Sequence, residues 1–144
     1  MGIAAGDSPR DVAWLASRLL ALRLFDSAAG ARWALGASAA AKPLLIVSQF
    51  TLHARTRKGA KPDFHRAAGG AAARPLYEAL LHALRAQHAS GPAAVREGAF
   101  GEMMAVSSVN NGPVTIILDS WDAIECGGPG REEVEGAAAA EVDP

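Results

Sequence analysis

Residues 44–59, LLIVSQFTLHARTRKG, constrain this chain more than any other stretch. Four apolar residues, 44–47, suit a strand buried on both faces. From Ser48 to Thr56 polar and apolar residues interleave. On a continuing strand, Ser48, Phe50 and Leu52 share one face, and Gln49, Thr51 and His53 share the other. A basic turn, Arg55-Thr56-Arg57-Lys58-Gly59, closes the stretch. A buried strand ending in hydroxyls, an amide and cations is the floor of a site for a polar, anionic ligand.

The rest of the chain supplies what covers that strand. At 144 residues there is enough chain for one domain, and no apolar run approaches the ~20 residues of a membrane span. Half the residues are hydrophobic, but alanine inflates the figure. The N-terminus lacks a basic flank followed by an apolar core, so no secretory signal is expected. One cysteine, Cys126, cannot form an internal disulfide, which favours a reducing, cytoplasmic setting.

Ser8-Pro9-Arg10-Asp11 forms a capping box with proline at the first helical position. Val12, Leu15, Ala16, Leu19 and Leu22 follow at helical spacing, predicting an amphipathic helix over 9–24. Residues 26–42 read as loop, with room for a short strand around 32–35. Residues 67–73 read as a spacer before a second helix over 75–88, with Leu76, Tyr77, Leu80, Leu81 and Leu84 inward. Residues 95–100 suit a short strand. Residues 103–109 and 114–119 suit stronger ones, joined by a turn at Asn110-Asn111-Gly112-Pro113. The expected fold is a single α/β domain over 1–120, with Leu15, Leu19, Leu45, Val47, Leu80, Leu84, Ile116 and Leu118 mostly buried. Its sheet is expected to be mixed or antiparallel and barrel-like, covered by two helices. Residues 121–144, rich in Gly, Ala and Glu, read as a disordered acidic tail.

The charge is uneven. Residues 53–74 hold six cations against Asp63, whereas 127–144 hold five anions against Arg131. Beside the polar strand end, the basic segment points to phosphate. His82 and His88, on the second helix, are expected at the surface, and His53 would stand ~7 Å along the strand from Thr51, too far to act as its base. No metal-ligand spacing, paired carboxylates or nucleophile elbow is present, so neither metal nor cofactor is expected. Ester hydrolysis remains open to such a site, because backbone N–H groups can stabilise an oxyanion without any titrating side chain. Thr51 is the best protein nucleophile, though an unactivated threonine is a poor one.

Ser48-Gln49-Phe50-Thr51-Leu52, then Thr56-Arg57-Lys58-Gly59, then Asn111-Gly112-Pro113-Val114-Thr115 resemble, in order, the signature motifs of D-aminoacyl-tRNA deacylases. Phe64, Tyr77, Phe100-Gly101-Glu102-Met103 and the leading helix with Trp14 fall in the same order, so the resemblance runs from Gly2 to Ser120. It implies hydrolysis of the ester joining a D-amino acid to the terminal adenosine of tRNA, by a homodimer with its site at the interface. It implies catalytic roles for Ser48, Gln49 and Thr51, and substrate contacts from Phe50, Arg57, Lys58, Gly112, Pro113, Val114 and Thr115. It further implies a cis Gly112-Pro113 peptide reaching the partner's pocket, where its carbonyls exclude an L-amino acid, and help from the tRNA 2′-hydroxyl. The resemblance also implies that the family's first strands lie ahead of the point where this chain begins. A non-catalytic RNA- or nucleotide-binding module that keeps the pocket is the alternative.

Overall fold

The computed structural model describes residues 1–57 and 59–121. Residues up to Gly101 form one compact unit, and the described residues from Glu102 to Trp121 belong to a second. In the first, α1 runs Pro9–Ala21, β1 Leu44–Ile46, α2 Gly70–Gln87 and β2 Val95–Glu97, with 3₁₀ turns at Phe50–His53 and Pro92–Ala94.

The predicted capping box opens α1: the Asp11 carboxylate accepts the Ser8 backbone N–H at 2.8 Å and the Ser8 hydroxyl at 2.7 Å. The helix stops at Ala21, three residues before the expected end. Leu24 and Phe25 there turn outward and give their N–H groups to the Leu35 carbonyl at 3.0 and 3.1 Å. Gly36 makes this return possible. A Cβ on it would lie 2.4 Å from the Leu20 carbonyl oxygen, so only glycine lets the loop approach the helix end so closely.

The second helix begins earlier than expected, at Gly70 rather than Pro75. The alanines read as a spacer are good helix formers, and Ala73 is buried in the core. Pro75 lies inside the helix and forgoes one main-chain bond there.

The sheet differs from the mixed, barrel-like one expected. Among the described residues it has two strands, and they are parallel, with Leu44 opposite Val95 and Ile46 opposite Glu97. A parallel pair needs a crossover, and α2 is that crossover. Among the described residues antiparallel pairing occurs only as isolated bridges, such as Phe25 with Leu35 and Arg55 with Asp63. The strand predicted over 44–52 ends at Ile46, because the chain curls at Gln49 into the 3₁₀ turn.

The core lies where α1, α2 and the sheet meet. Ala16, Leu80 and Leu84 are fully enclosed, and Val12, Leu20, Ile46, Tyr77, Leu81 and Val95 are buried with them. Leu15, Leu19 and Val47 are half-buried, at the margin rather than the centre. Leu45 is 62% exposed, because the strand is covered on one face and not on two. His88 is buried instead of lying at the surface. Its Nδ1 accepts the Ser90 N–H at 3.1 Å, which leaves Nε2 to donate to the Lys42 carbonyl at 3.0 Å.

In the second unit, residues 102–121 contain no helix or strand, so the strands expected at 103–109 and 114–119 are not formed. Extended chain becomes strand only when a neighbour completes its hydrogen-bond ladder, and alternation in one segment cannot supply that neighbour. Ile116 is 48% exposed and Leu118 half-buried, against the expected burial. The chain bends at Asn111 and Gly112, and the Gly112-Pro113 peptide is cis as the resemblance implies. The acidic tail from residue 122 lies outside the described residues.

Candidate active site

The residues singled out from sequence at 48–51 sit at the mouth of β1, on the curl that replaces the expected strand. The Gln49 N–H is fixed to the Met1 carbonyl at 2.8 Å, and the turn is closed by Leu52 N–H on the Gln49 carbonyl at 3.3 Å. That curl brings Gln49 and Thr51 together: the Gln49 side-chain amide donates to the Thr51 hydroxyl oxygen, and both residues are exposed. An amide donor can orient the hydroxyl but cannot take its proton. Phe50 meets Phe64 edge to face, with ring centroids 5.0 Å apart and planes at 72°. Ser48 is half-buried, and its hydroxyl faces the Gly101 N–H at 3.5 Å.

His53 ends the turn. Among the described residues its Nε2 is buried without a hydrogen-bond partner, close to where a Cβ on Gly2 would lie, 2.9 Å away. It is packed against the N-terminal segment.

Beyond the turn, Arg55 and Asp63 exchange two main-chain hydrogen bonds of 2.7 and 2.9 Å. They tie off a loop that holds Arg57 and Lys61, with Gly59 at a φ of +82°. Arg57 and Lys61 are exposed, and Lys58 lies outside the described residues. Among those residues no group of His, Cys, Asp and Glu could hold a metal ion.

The second unit holds the other predicted contacts, Gly112, Pro113, Val114 and Thr115. Gly112 has a φ of +145°, a conformation that side chains with a Cβ rarely adopt, and an added Cβ would stand 3.3 Å from the Val114 nitrogen. Val114 is exposed.

Two residues that sequence reasoning left without a role support this site. The Tyr77 hydroxyl, on α2, donates to the Ile46 carbonyl at 2.8 Å, two residues before Ser48. Burial, reinforced by the Glu97 carboxylate, raises the Tyr77 phenol above its ordinary range, although Arg85 and the Gly98 backbone oppose this. Phe100 packs on Tyr77 at 5.2 Å and so sets where Gly101 stands. The available signal was a lone tyrosine on an otherwise aliphatic helix stripe.

Comparison with known proteins turns on residues 1–119, which match the family described as D-Tyr-tRNA(Tyr) deacylase. A D-aminoacyl-tRNA deacylase of Schizosaccharomyces pombe is 45% identical over 120 residues, covering 83% of this chain and 78% of the relative. This chain belongs to the D-aminoacyl-tRNA deacylase family. The deacylase of Opitutus terrae is 48% identical over 124 residues, covering 83% of this chain and 77% of that one. A solved structure, the c-Myc DNA Unwinding Element Binding Protein, is 35% identical with a TM-score of 0.76, covering 83% of this chain and 78% of that one. The deacylase match spans both signature segments, 48–51 and 111–115.

Proposed function

We infer that this chain is a hydrolase that cleaves D-aminoacyl-tRNA, removing the D-amino acid from the 3′-terminal adenosine as a proofreading step in translation. One observation supports this reading most: the exposed turn at 48–51 offers a serine, a threonine and an amide held against that threonine. That is a set suited to holding an ester rather than to acid–base chemistry. In our reading, Ser48, Gln49 and Thr51 and the backbone N–H groups of that segment hold the scissile ester and the charge that develops on its carbonyl oxygen. Phe50 packs beside the terminal adenosine. The terminal 2′-hydroxyl of the tRNA assists the attack, since the Gln49 amide cannot activate Thr51.

The finer assignments extend the same proposal. Residues 1–120 form the deacylase domain, and 121–144 are an acidic extension. Two copies associate as a homodimer. Gly112, Pro113, Val114 and Thr115 of one copy reach the 48–51 turn of the other, and the carbonyls of the Gly-Pro turn occupy the space that an L side chain would need. Rejecting a mirror image calls for steric exclusion of this kind, because both enantiomers offer the same hydrogen-bonding groups. Arg57 and Lys58 meet the phosphate backbone near the acceptor end. The protein works in the cytoplasm, where its substrate is made; among the described residues no helix is long and apolar enough to cross a membrane.

The decisive experiment compares D-tyrosyl-tRNA with L-tyrosyl-tRNA under single-turnover conditions. Release of D-tyrosine with little release of L-tyrosine is expected. Retained tRNA affinity without release from either would make the chain a binding module instead.

A further inference from the structure

A groove of about 370 Å³ opens between α2 and the outer edge of β2, lined by Arg74, Glu78, His82, Arg85, Glu97 and Phe100. The sheet dictates where it forms. Gly98 turns its N–H toward β1, onto the Ile46 carbonyl at 2.9 Å. Val95 presents its carbonyl to the opposite side, where Arg85 Nε reaches it at 3.4 Å. The groove adjoins the 48–51 turn, because Phe100 on its wall precedes Gly101, whose N–H faces the Ser48 hydroxyl.

Its chemistry differs from that of the basic loop. Arg85 pairs with Glu97 at 3.6 Å, and Arg74 and Glu78 stand four residues apart on one face of α2. The lining is therefore charge-balanced, which disfavours a phosphate and suits a neutral ligand with donors and acceptors along one edge. The wall also offers a flat platform: the Arg74 guanidinium lies 4.7 Å from the centroid of the Phe100 ring. Unpaired bases stack on such guanidinium and aromatic planes, and side-chain carboxylates accept from the exocyclic amine of cytosine.

We propose that this groove binds the nucleobase immediately preceding the terminal adenosine of the tRNA. The base stacks on the Arg74 guanidinium, Glu78 accepts from its amine, and Arg85 donates to its ring acceptors. The proposal rests on the deacylase reading. It adds a second nucleotide subsite, which gives the enzyme purchase on the single-stranded end beyond the ester itself.

The test uses the full chain and three substrates: D-tyrosyl-adenosine, the D-tyrosyl dinucleotide CpA and a D-tyrosyl dinucleotide with an abasic ribose in place of the cytidine. For the unaltered protein, KM for the CpA ester should be about tenfold below that for the adenosine ester, the size expected of one stacked base. The abasic compound should lose that advantage. Arg74→Met and Glu78→Gln should each erase most of it while leaving KM for the adenosine ester within about twofold. A CpA ester no better than the adenosine ester, or equal losses on both in the variants, overturns the subsite. If none of the three esters is hydrolysed, the deacylase reading fails by itself. Titration with uncharged-ended CpA and adenosine then decides the groove: weaker CpA binding in Arg74→Met supports it, and unchanged binding overturns it.

Discussion

The Tyr77 hydroxyl donates to the Ile46 carbonyl at 2.8 Å, so the middle of α2 is fastened to the strand that delivers Ser48 and Thr51. Ile46 also receives the Gly98 N–H, so its carbonyl keeps a partner if the phenol is lost. Tyr77→Phe should therefore lower stability by only about 1 kcal/mol, measured by urea unfolding. The raised Tyr77 pKa adds a pH signature. Below about pH 10 the phenol is protonated in both folded and unfolded chains, and its contribution is complete. As pH rises further the unfolded chain ionises first, so stability falls toward the folded-state pKa. Tyr77→Phe should flatten that alkaline decline relative to the unaltered protein; an identical slope would remove Tyr77 as its source.

His88 is a second buried polar tie, joining the end of α2 to the Lys42 carbonyl and the Ser90 N–H. His88→Leu keeps the volume but strands both main-chain groups, so a loss of about 1–3 kcal/mol is expected. Because the tie lies away from the 48–51 turn in sequence, kcat of the folded variant should be nearly unchanged. A loss of turnover without a loss of stability would contradict this.

Thr51 is bonded by an amide rather than a base, which separates two mechanisms. Thr51→Ala should leave measurable single-turnover hydrolysis, whereas a 2′-deoxy terminal adenosine should abolish it. The reverse pattern would make Thr51 the nucleophile.

Replacing both Arg57 and Lys58 with alanine should weaken tRNA binding and make log Kd less steep in log salt, because fewer phosphates are neutralised. The unfolding midpoint should hardly move, since Arg57 is exposed and surface charges contribute little to stability. Affinity unchanged at two salt concentrations would leave this loop without a role.

At Gly112 the backbone itself requires glycine, with φ at +145°. Gly112→Ala should cut D-aminoacyl-tRNA cleavage by at least about tenfold, because the turn must shift to relieve the strain. Circular dichroism should still report a folded protein. If two copies share each site as proposed, mixing it with whichever of Thr51→Ala or Gln49→Ala lowers turnover should restore part of the activity, since one site of the mixed dimer then carries neither lesion. Heterodimers that form without recovery would mean that each site is built within one chain.

Helix periodicity and capping chemistry were legible because they are local: Ser8 and Asp11 announce α1, and the leucines of α2 announce its inward face. The motif proposed for the site is local in the same way, a run of residue types. What escaped depends on partners distant in sequence. Alternation through Leu52 could not reveal that Gln49 would be fixed by the Met1 carbonyl and curl the chain. Nor could the polarity of His88 reveal two main-chain groups waiting for an imidazole. Residues 103–119 look like strands by pattern, yet pattern does not name the neighbour that a ladder needs.

The tie between Arg55 and Asp63 makes the loop it closes an exchangeable cassette. Its ends are already held 2.7 and 2.9 Å apart by main-chain bonds, so the entropy of closing it does not depend on which side chains lie between. Charges there can be added, removed or reversed across lineages without renegotiating the core around Leu80 and Leu84. The charge of the loop and the stability of the body can then change as separate traits.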